Sequence, residues 1–405
     1  MKKLWILAPL ASLVVASPAS ASAATPGSLD PTFGSNGITI TNGDGIPEGA
    51  TLLANGDIAV TVGEASASNT GTGVVEYLPN GQLNTAFGSD GFAPTSTGAA
   101  AIVQAPNGDL VVAGETLSGE AAIAVAELTA SGAPNTSFGN DGTALAPVTL
   151  EGNAVPPSAL LIESNGDIVV GGSISIEIGR RDVVSTGAVV RFTSAGKLDS
   201  TFGTKGAVSS SKLSSLATLG VDSKGDVFTA PEEHELSSTG AIDASVTPEP
   251  IVASAQGDST EFVSSGDYVT ASTVGVHKHD TQVAVDRFLP SGTADSTFTA
   301  TQFNWVQGTA ALDGVNALAF EPNGEIVVGG GHDSDGFSTF GVGLLEANGG
   351  LDAAFGTEGT TTTEIQDDES VGRVLVQSND DIVAVGGTED NSTGVSGIAL
   401  ARYIG

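Results

Sequence analysis

Residues 165–172 read NGDIVVGG and residues 198–203 read LDSTFG, and related copies of both recur in the same order along the chain. Asn-Gly is a common hairpin turn, and the β-branched run after it is typical of a strand covered on both faces. An apolar run, ALLI (159–162), precedes the turn, and AVVRF (188–192) lies between the two motifs. One repeat therefore predicts four antiparallel strands.

The hairpin turn recurs seven times, and its anchor residues are Gly56, Gly108, Gly166, Gly225, Gly266, Gly324 and Asp380. Self-similarity at such a spacing is typical of repeat architectures, and four-stranded repeats are typical of propeller blades. The sequence therefore predicts an all-β fold, a seven-bladed β-propeller with four antiparallel strands per blade. Val246 and Thr299 alter two copies of the second motif, so we expect the fourth and fifth blades to be irregular.

The two ends of the chain are each incomplete as repeats. The first copy of the second motif (residues 29–34) has no strands before it, and the chain ends in a third strand at residues 398–403. We therefore expect residues 27–41 to form the outer strand beside the three C-terminal strands. This pairing would close the ring without a free edge.

Residues 1–24 have the features of a secretory signal peptide. Lys2 and Lys3 precede an apolar run at residues 4–16, and small residues follow. That run is shorter than the ~20 residues needed to cross a bilayer, and no later segment approaches this length. The chain contains no cysteine, which excludes disulfides and thiolate metal sites. We therefore predict a secreted protein without a membrane span, with residues 25–405 as one propeller domain.

The two motifs, GDIVVGG followed by LDSTFG, resemble those of the bacterial delta-60 repeat family. The resemblance covers nearly the whole chain after the predicted signal peptide. Members of this family look like secreted or surface β-propellers, so the resemblance implies that fold and that location. It implies no particular reaction or ligand.

The chain is strongly acidic, with 47 Asp and Glu against 13 Lys and Arg and a formal net charge of −34 at pH 7. Nucleic acids and anionic lipids bind through clustered cations, so the charge argues against both as partners. A surplus of acidic residues also keeps a protein soluble. An extracellular protein or a glycan is the partner that we consider.

Several residues recur once per repeat and are predicted to be structural. The Asp or Asn three positions before the phenylalanine, such as Asp199, is expected to cap its own turn rather than bind calcium. The phenylalanine, such as Phe202, is expected to pack between blades, at a cost of about 3–5 kcal/mol on truncation to alanine. Arg191, Arg287 and Arg402 share one strand position where other repeats have glutamate, which favours local pairing.

Three of the four histidines, His277, His279 and His332, fall in the connections between second and third strands of adjacent repeats. Asp280, Asp333 and Asp335 lie beside them. In an extended segment His277 and His279 share a face, and nitrogen and oxygen ligands of this kind suit zinc or a similar divalent ion. We therefore consider a metal site at the three histidines, although a solvated loop explains the same residues.

The third repeat has Arg180 and Arg181 in the corresponding connection, where they would steer an acidic partner or form a solvated tip. With the three aspartates, these arginines are the candidate ligand-binding residues. The chain has no nucleophile elbow, phosphate loop or zinc-protease helix motif. We predict a secreted binding or interaction scaffold of unknown ligand. The alternatives are a metal-assisted hydrolase or lyase on a propeller face, and a structural protein of the envelope or matrix.

Overall fold

A computed structural model describes residues 25–43, 45–63, 71–178, 182–231, 234–243, 252–253, 259–277, 280–306, 312–334 and 337–405. Across these residues the protein is all-β, as predicted, and one 3₁₀ turn is the only helical segment. No helix in the described part of the chain is long and apolar enough to cross a membrane. The predicted signal peptide lies outside the described residues.

The strands form successive four-stranded antiparallel groups, which we call units and number along the chain. Strand β1 is Ile38–Asn42. Unit 1 comprises β2 (Ile46–Leu52), β3 (Ile58–Gly63), β4 (Gly73–Tyr77) and β5 (Phe92–Pro94). Unit 2 comprises β6 (Ala101–Gln104), β7 (Leu110–Glu115), β8 (Ile123–Leu128) and β9 (Thr143–Ala146). A small hairpin, β10 (Thr149–Leu150) and β11 (Asn153–Ala154), follows unit 2.

Units 3 and 4 follow this hairpin. Unit 3 comprises β12 (Pro157–Ile162), β13 (Ile168–Ile178), β14 (Asp182–Phe192) and β15 (Ala207–Ser210), and the 3₁₀ turn Ser211–Leu213 leads out of it. Unit 4 comprises β16 (Leu216–Val221), β17 (Val227–Pro231), β18 (His234–Leu236) and β19 (Ile242–Asp243). A fifth strand, β20 (Val252–Ala253), pairs with β16. In the described part of the chain no other unit has such a strand beside its first strand, which agrees with the irregularity expected of the fourth repeat.

The remaining strands form one twelve-stranded sheet together with β1. Unit 5 comprises β21 (Thr260–Phe262), β22 (Tyr268–His277), β23 (Asp280–Phe288) and β24 (Thr301–Phe303). Unit 6 comprises β25 (Leu312–Phe320), β26 (Ile326–Ser334), β27 (Phe337–Leu345) and β28 (Thr360–Thr363). Unit 7 comprises β29 (Asp368–Val376), β30 (Ile382–Asp390), β31 (Val395–Tyr403) and β1. Two one-residue parallel bridges join the three units, Thr281 with Leu312 and Ser338 with Asp368.

Unit 7 takes its outer strand from the N-terminal segment. Strand β1 pairs antiparallel with β31, and Ile38 lies opposite Ala401. The Gly27 amide donates a hydrogen bond to the Ile404 carbonyl oxygen at 2.7 Å. The Arg402 guanidinium donates to the Asp30 carboxylate at 2.6 Å. The predicted pairing of the N-terminal segment with the C-terminal strands is therefore confirmed.

The apolar core consists of separate clusters, each shared by two units, and one of them joins unit 7 to unit 1. The repeated phenylalanines lie in these clusters, as predicted, and their exposed fractions are Phe33 0%, Phe87 1%, Phe138 1%, Phe202 0%, Phe298 8% and Phe355 0%. Among the described residues, the cluster between units 4 and 5 has four buried members, Phe228, Ala230, Phe262 and Tyr268, and Val246 lies outside the described residues.

The second motif makes a tight turn that only certain residues allow. In unit 3 the Asp199 Oδ1 accepts hydrogen bonds from the backbone amide and the hydroxyl of Thr201, at 2.9 and 2.7 Å. This confirms the predicted capping of its own turn. Gly203 has a φ of +53°, and a Cβ there would clash with the Ala207 carbonyl oxygen. Glycine follows the phenylalanine for this reason.

Candidate functional site

The two ends of the units differ in their regularity. Alternate connections of an antiparallel sheet leave from opposite ends of its strands. We call the end with the first-to-second and third-to-fourth connections the regular face. Its first-to-second turns have the same length in every unit, and in unit 3 this turn bonds to the third-to-fourth connection, because the Ser194 amide donates to the Asp167 carboxylate at 3.2 Å. The other end, which we call the variable face, has unit-to-unit connections as different as residues 43–45 and 304–311.

A cluster of buried polar side chains lies on the variable face where units 5 and 6 meet. Asp313 is 1% exposed and His332 is 6% exposed. The His332 Nδ1 lies 2.6 Å from the Asp313 Oδ1. Because a carboxylate only accepts hydrogen bonds, Nδ1 carries the hydrogen in this pair. The opposite ring nitrogen, Nε2, has no hydrogen-bond partner among the described residues and keeps some solvent-accessible surface, on a side chain that is 7% exposed.

The second oxygen of Asp313 fixes the connection that enters unit 6. Asp313 Oδ2 accepts hydrogen bonds from the Asn304 side-chain amide and from the Trp305 backbone amide, both at 2.9 Å. The Asn304 Oδ1 in turn accepts from Gln282 Nε2 at 2.8 Å. The cluster therefore links β23, the segment after β24, β25 and β26.

The strand register explains why these residues meet. Asp313 and His332 are directly paired across β25 and β26. On the other side of β25, the Thr281 hydroxyl donates to the Asp313 carbonyl oxygen at 2.7 Å. Trp305 is 2% exposed and lies over Gly341, where any Cβ would meet its ring. A small residue in β27 is therefore required for the segment after β24 to reach Asp313.

The structure places the predicted site residues unequally. His332 belongs to the cluster, and the half-buried Asp333 is the next residue of β26. The backbones of His277 and Asp280 pair across the β22–β23 hairpin, but their side chains lie outside what the structure describes. His279, Asp335, Arg180 and Arg181 also lie outside the described residues. Among the described side chains, no group of three or more His, Asp or Glu is arranged to hold a metal ion.

The order of the strands limits whether one metal ion could contact all the predicted ligands. The order across the sheet is β22, β23, β25 and β26, so His277 lies three strands away from His332. At about 4.8 Å per strand this separation is about 14 Å, which requires both imidazoles to extend towards each other. Asp280, on β23, is one strand nearer to His332. The three-histidine site stays a prediction.

The sequence does not single out Asp313, Asn304 or Trp305. Asp313 lies near the start of the apolar strand β25, and its partners come from β26 of the same unit and from the segment after β24 of unit 5. One available signal is Trp305, because the chain has only two tryptophans and the other lies in the predicted signal peptide. A rare aromatic residue between two repeats indicates a connection that packs against the body of the protein.

The three repeated arginines serve packing rather than ligand binding. Arg191 and Arg287 bond to Asp199 and Asp295 of their own units, with nitrogen–oxygen distances of 2.7 and 2.6 Å. Each guanidinium also stacks on the phenylalanine of the same motif, as Arg191 does at 4.6 Å from the Phe202 ring centre. The local pairing predicted for these residues is confirmed.

One buried carboxyl group on the regular face lacks such a cation. Glu321 is 5% exposed, and its Oε1 has no hydrogen-bond partner. In unit 3 the same turn position holds Glu163, which lies 3.5 Å from Arg191. In unit 6 the arginine position is Leu344. Burial raises the pKa of Glu321 to about 7, and the neighbouring carboxylates Glu325 and Asp380 add to this effect.

We expect the Glu321 carboxyl group to lower the free energy of unfolding as the pH rises. Its folded pKa lies above the ordinary value of 4.5, so its stabilising contribution is complete below pH 4.5 and is lost as the pH approaches about 7. Glu321→Gln should therefore raise the melting temperature at pH 8 and change it little at pH 5. The comparison variant is Glu163→Gln, which should give a smaller gain at pH 8, because burial also raises the pKa of Glu163 but the positive charge of Arg191 opposes this effect. Equal effects of Glu321→Gln at both pH values would contradict this assignment.

The regular face also has an open cleft of about 760 Å³ between units 7, 1 and 2. Its lining includes Gln104, Asn379 and Arg402. Gln104 Oε1 accepts from the Ala54 amide at 2.8 Å, and Asn379 donates to Asp381 at 2.7 Å. Arg402 bonds to Asp30 at 2.6 Å. These polar groups already make hydrogen bonds within the protein, so they are less available to bind a ligand than the polar groups of the variable face.

Comparison with known proteins supports the repeat architecture. A family model described as "Domain of unknown function (DUF5122) beta-propeller" matches residues 105–138 and 163–202, which lie in units 2 and 3. The match supports a repeat protein of the propeller type. No curated protein matches the chain.

Several solved structures are similar at low identity. The GH93 α-L-arabinofuranosidase of Fusarium graminearum with arabinobiose is 10% identical, with 94% of this chain and 97% of that chain covered and a TM-score of 0.45. The Penicillium chrysogenum α-L-arabinanase with arabinobiose is 12% identical, with coverages of 93% and 96% and a TM-score of 0.40. The gluconolactonase XC5397 from Xanthomonas campestris is 10% identical, with coverages of 95% and 99% and a TM-score of 0.38. No function is transferred to this chain at these scores.

Proposed function

We propose that the seven units are the blades of one closed β-propeller. The first strands of the units contact one another in the order β2, β6, β12, β16, β21, β25 and β29, and β29 also contacts β2. One apolar cluster includes Phe33 and Leu400 of unit 7 together with Ile58 of unit 1. We propose that residues 25–405 form this single domain and are exported, since residues 1–24 resemble a signal peptide and the repeats resemble the delta-60 family.

The proposed function is the binding of an extracellular ligand on the variable face. The observation that carries it is the solvent-accessible Nε2 of His332, on an imidazole whose other nitrogen is held by the buried Asp313. Ligand sites combine a shaped surface with a few oriented polar groups, and connections on a rigid scaffold commonly supply them. The variable face has such connections, whereas the regular face repeats one turn design.

His332→Asn tests this proposal. The asparagine amide nitrogen lies near the place of Nδ1, so this variant keeps a donor to Asp313 and removes Nε2. We expect wild-type protein to bind a component of an array of extracellular polysaccharide fragments and immobilised extracellular proteins. Loss of one hydrogen bond of about 1.4 kcal/mol should weaken that binding about tenfold.

The matched control is His234→Asn in unit 4, which should leave binding unchanged while both variants keep the wild-type melting temperature. A wild-type protein that binds no component of the array would overturn the binding function. Binding that is as tight in His332→Asn as in wild type would remove His332 from the site.

The Asp313–His332 pair also favours a second candidate, a metal-assisted hydrolase or lyase. Histidines that bind a metal almost always donate their other N–H to a carboxylate or carbonyl, as His332 does here. In this candidate His332 binds a zinc ion with His277 and His279, and the nearby Asp280 and Asp333 complete the site. Protein purified without a histidine tag should then contain about one zinc per chain, and His277→Ala should lose it. Metal-free wild-type protein after growth with zinc would rule this candidate out.

A further inference from the structure

We propose that Asp313 is a positioning residue that fixes the tautomer of His332 and thereby selects the chemistry of the ligand. When the ring is neutral and Nδ1 donates to Asp313, Nε2 carries a lone pair that can meet a ligand. This inference rests on the proposed binding site at His332. The group that meets Nε2 must then be an electron-pair acceptor, either the hydrogen of a neutral hydroxyl or a divalent metal ion. Carboxylate, phosphate and sulfate groups lack such a hydrogen and are disfavoured.

Comparison with unit 7 distinguishes two roles of Asp313: holding the His332 ring and holding the segment that precedes β25. Glu369 occupies the position of Asp313 there, two residues before the same strand irregularity. It is 2% exposed and accepts hydrogen bonds from the amides of Ile365 and Gln366, at 2.6 and 2.8 Å. Thr388 occupies the position of His332. Both acidic residues therefore hold the segment that precedes their strand, and only in unit 6 does one oxygen also hold an imidazole.

The two oxygens of Asp313 face different requirements. Oδ2 accepts from the Trp305 backbone amide, which can only donate, and from the Asn304 side-chain nitrogen, which also donates to the Thr281 carbonyl oxygen and is thereby held on this side. In Asp313→Asn the carbonyl oxygen must keep these two donors, so the new amide group faces His332 Nδ1. Nδ1 must then accept, and the hydrogen moves to Nε2. Replacement of one Asp313 carboxylate oxygen by an amide NH2 group should therefore move the His332 hydrogen from Nδ1 to Nε2.

Nitrogen-15 NMR of the imidazole rings at pH 8 tests this directly. The His332 signals are identified by their loss in His332→Asn. Wild-type protein should show the Nδ1–H tautomer, and Asp313→Asn should show the Nε2–H tautomer. The matched control is Glu369→Gln, which disturbs the corresponding segment of unit 7 and should leave the His332 tautomer unchanged.

The wild-type spectrum alone decides the proposal if Asp313→Asn does not fold, because an Nε2–H tautomer in wild type would overturn it. Retention of the Nδ1–H tautomer in folded Asp313→Asn would overturn it as well. Calorimetry with zinc chloride and with neutral oligosaccharides then separates the two ligand sources. If the tautomer responds as expected and neither probe binds wild type, the positioning role stands and the proposed function fails.

Discussion

Removal of residues 398–405 is expected to abolish cooperative folding. The deletion takes away most of β31, which lies between β30 and β1 in unit 7. Ile398, Leu400 and Tyr403 are at most 4% exposed. Burial of each such side chain contributes about 1.5–3 kcal/mol, so the three together lose about 4.5–9 kcal/mol, which is comparable to the whole stability of a typical domain, about 5–15 kcal/mol. The N-terminal segment would also lose its strand partner, including the Arg402–Asp30 bond.

The deletion is measured by thermal unfolding followed by circular dichroism. A graded variant, Arg402→Met, removes the bonds to Asp30 but keeps an apolar stem, and it should lower the melting temperature without preventing folding. Val395→Thr is the control, because Val395 is 38% exposed at the far end of the same strand. A truncated protein with the wild-type melting curve would contradict both the pairing of the chain ends and the closed ring built on it.

The repeated part of the fold follows from the sequence because it depends on neighbouring residues. Asp199 caps a turn two residues away, and Gly203 is required by a clash with Ala207, so each motif specifies its own geometry. The same reasoning placed the phenylalanines between units. It also identified the incomplete repeats at both ends, because a missing strand in one repeat requires a partner elsewhere.

The candidate site depends on residues that are distant in sequence, and this is why sequence reasoning found only part of it. His332 stands out as a rare residue type, but Asp313 meets it only through the β25–β26 register. Gln282 and Asn304 join through contacts between units 5 and 6. Residues that lie in connections, such as His279 and Arg180, are not placed by any strand register, so their roles stay predictions.

The residues at one repeat position form recurring pairs. In units 1 and 2 the third strand has glutamate and the turn has asparagine, and Glu76 accepts from Asn84 Nδ2 at 2.6 Å, whereas unit 4 has Glu235 with Asp243. Where the strand has arginine, the turn has aspartate, as in Arg191 and Asp199. The glutamate–asparagine pair carries one negative charge and the arginine–aspartate pair is neutral, and each makes a hydrogen bond, whereas glutamate with aspartate would bring two like charges together.

Arg191→Glu is therefore expected to be strongly destabilising, and its rescue is specified by unit 1. The Arg191 side chain is 7% exposed and lies between Asp199 at 2.7 Å and Glu163 at 3.5 Å. The substitution places three carboxylates together, and loss of one partner from a buried ion pair costs about 3–5 kcal/mol. Adding Asp199→Asn restores the glutamate–asparagine bond seen in unit 1. Adding Glu163→Leu then reproduces Leu53, the residue at that position in unit 1.

Urea unfolding of the three variants should give a rising order of stability from the single to the triple variant. The coupling between Arg191→Glu and Asp199→Asn should be favourable by about 1–3 kcal/mol, because the two residues are in direct contact. Asp199→Asn in the wild-type background is the control, and it should destabilise, since Arg191 then loses its charged acceptor. Additive losses in the double variant would show that the residue pair is not the unit that stabilises this turn.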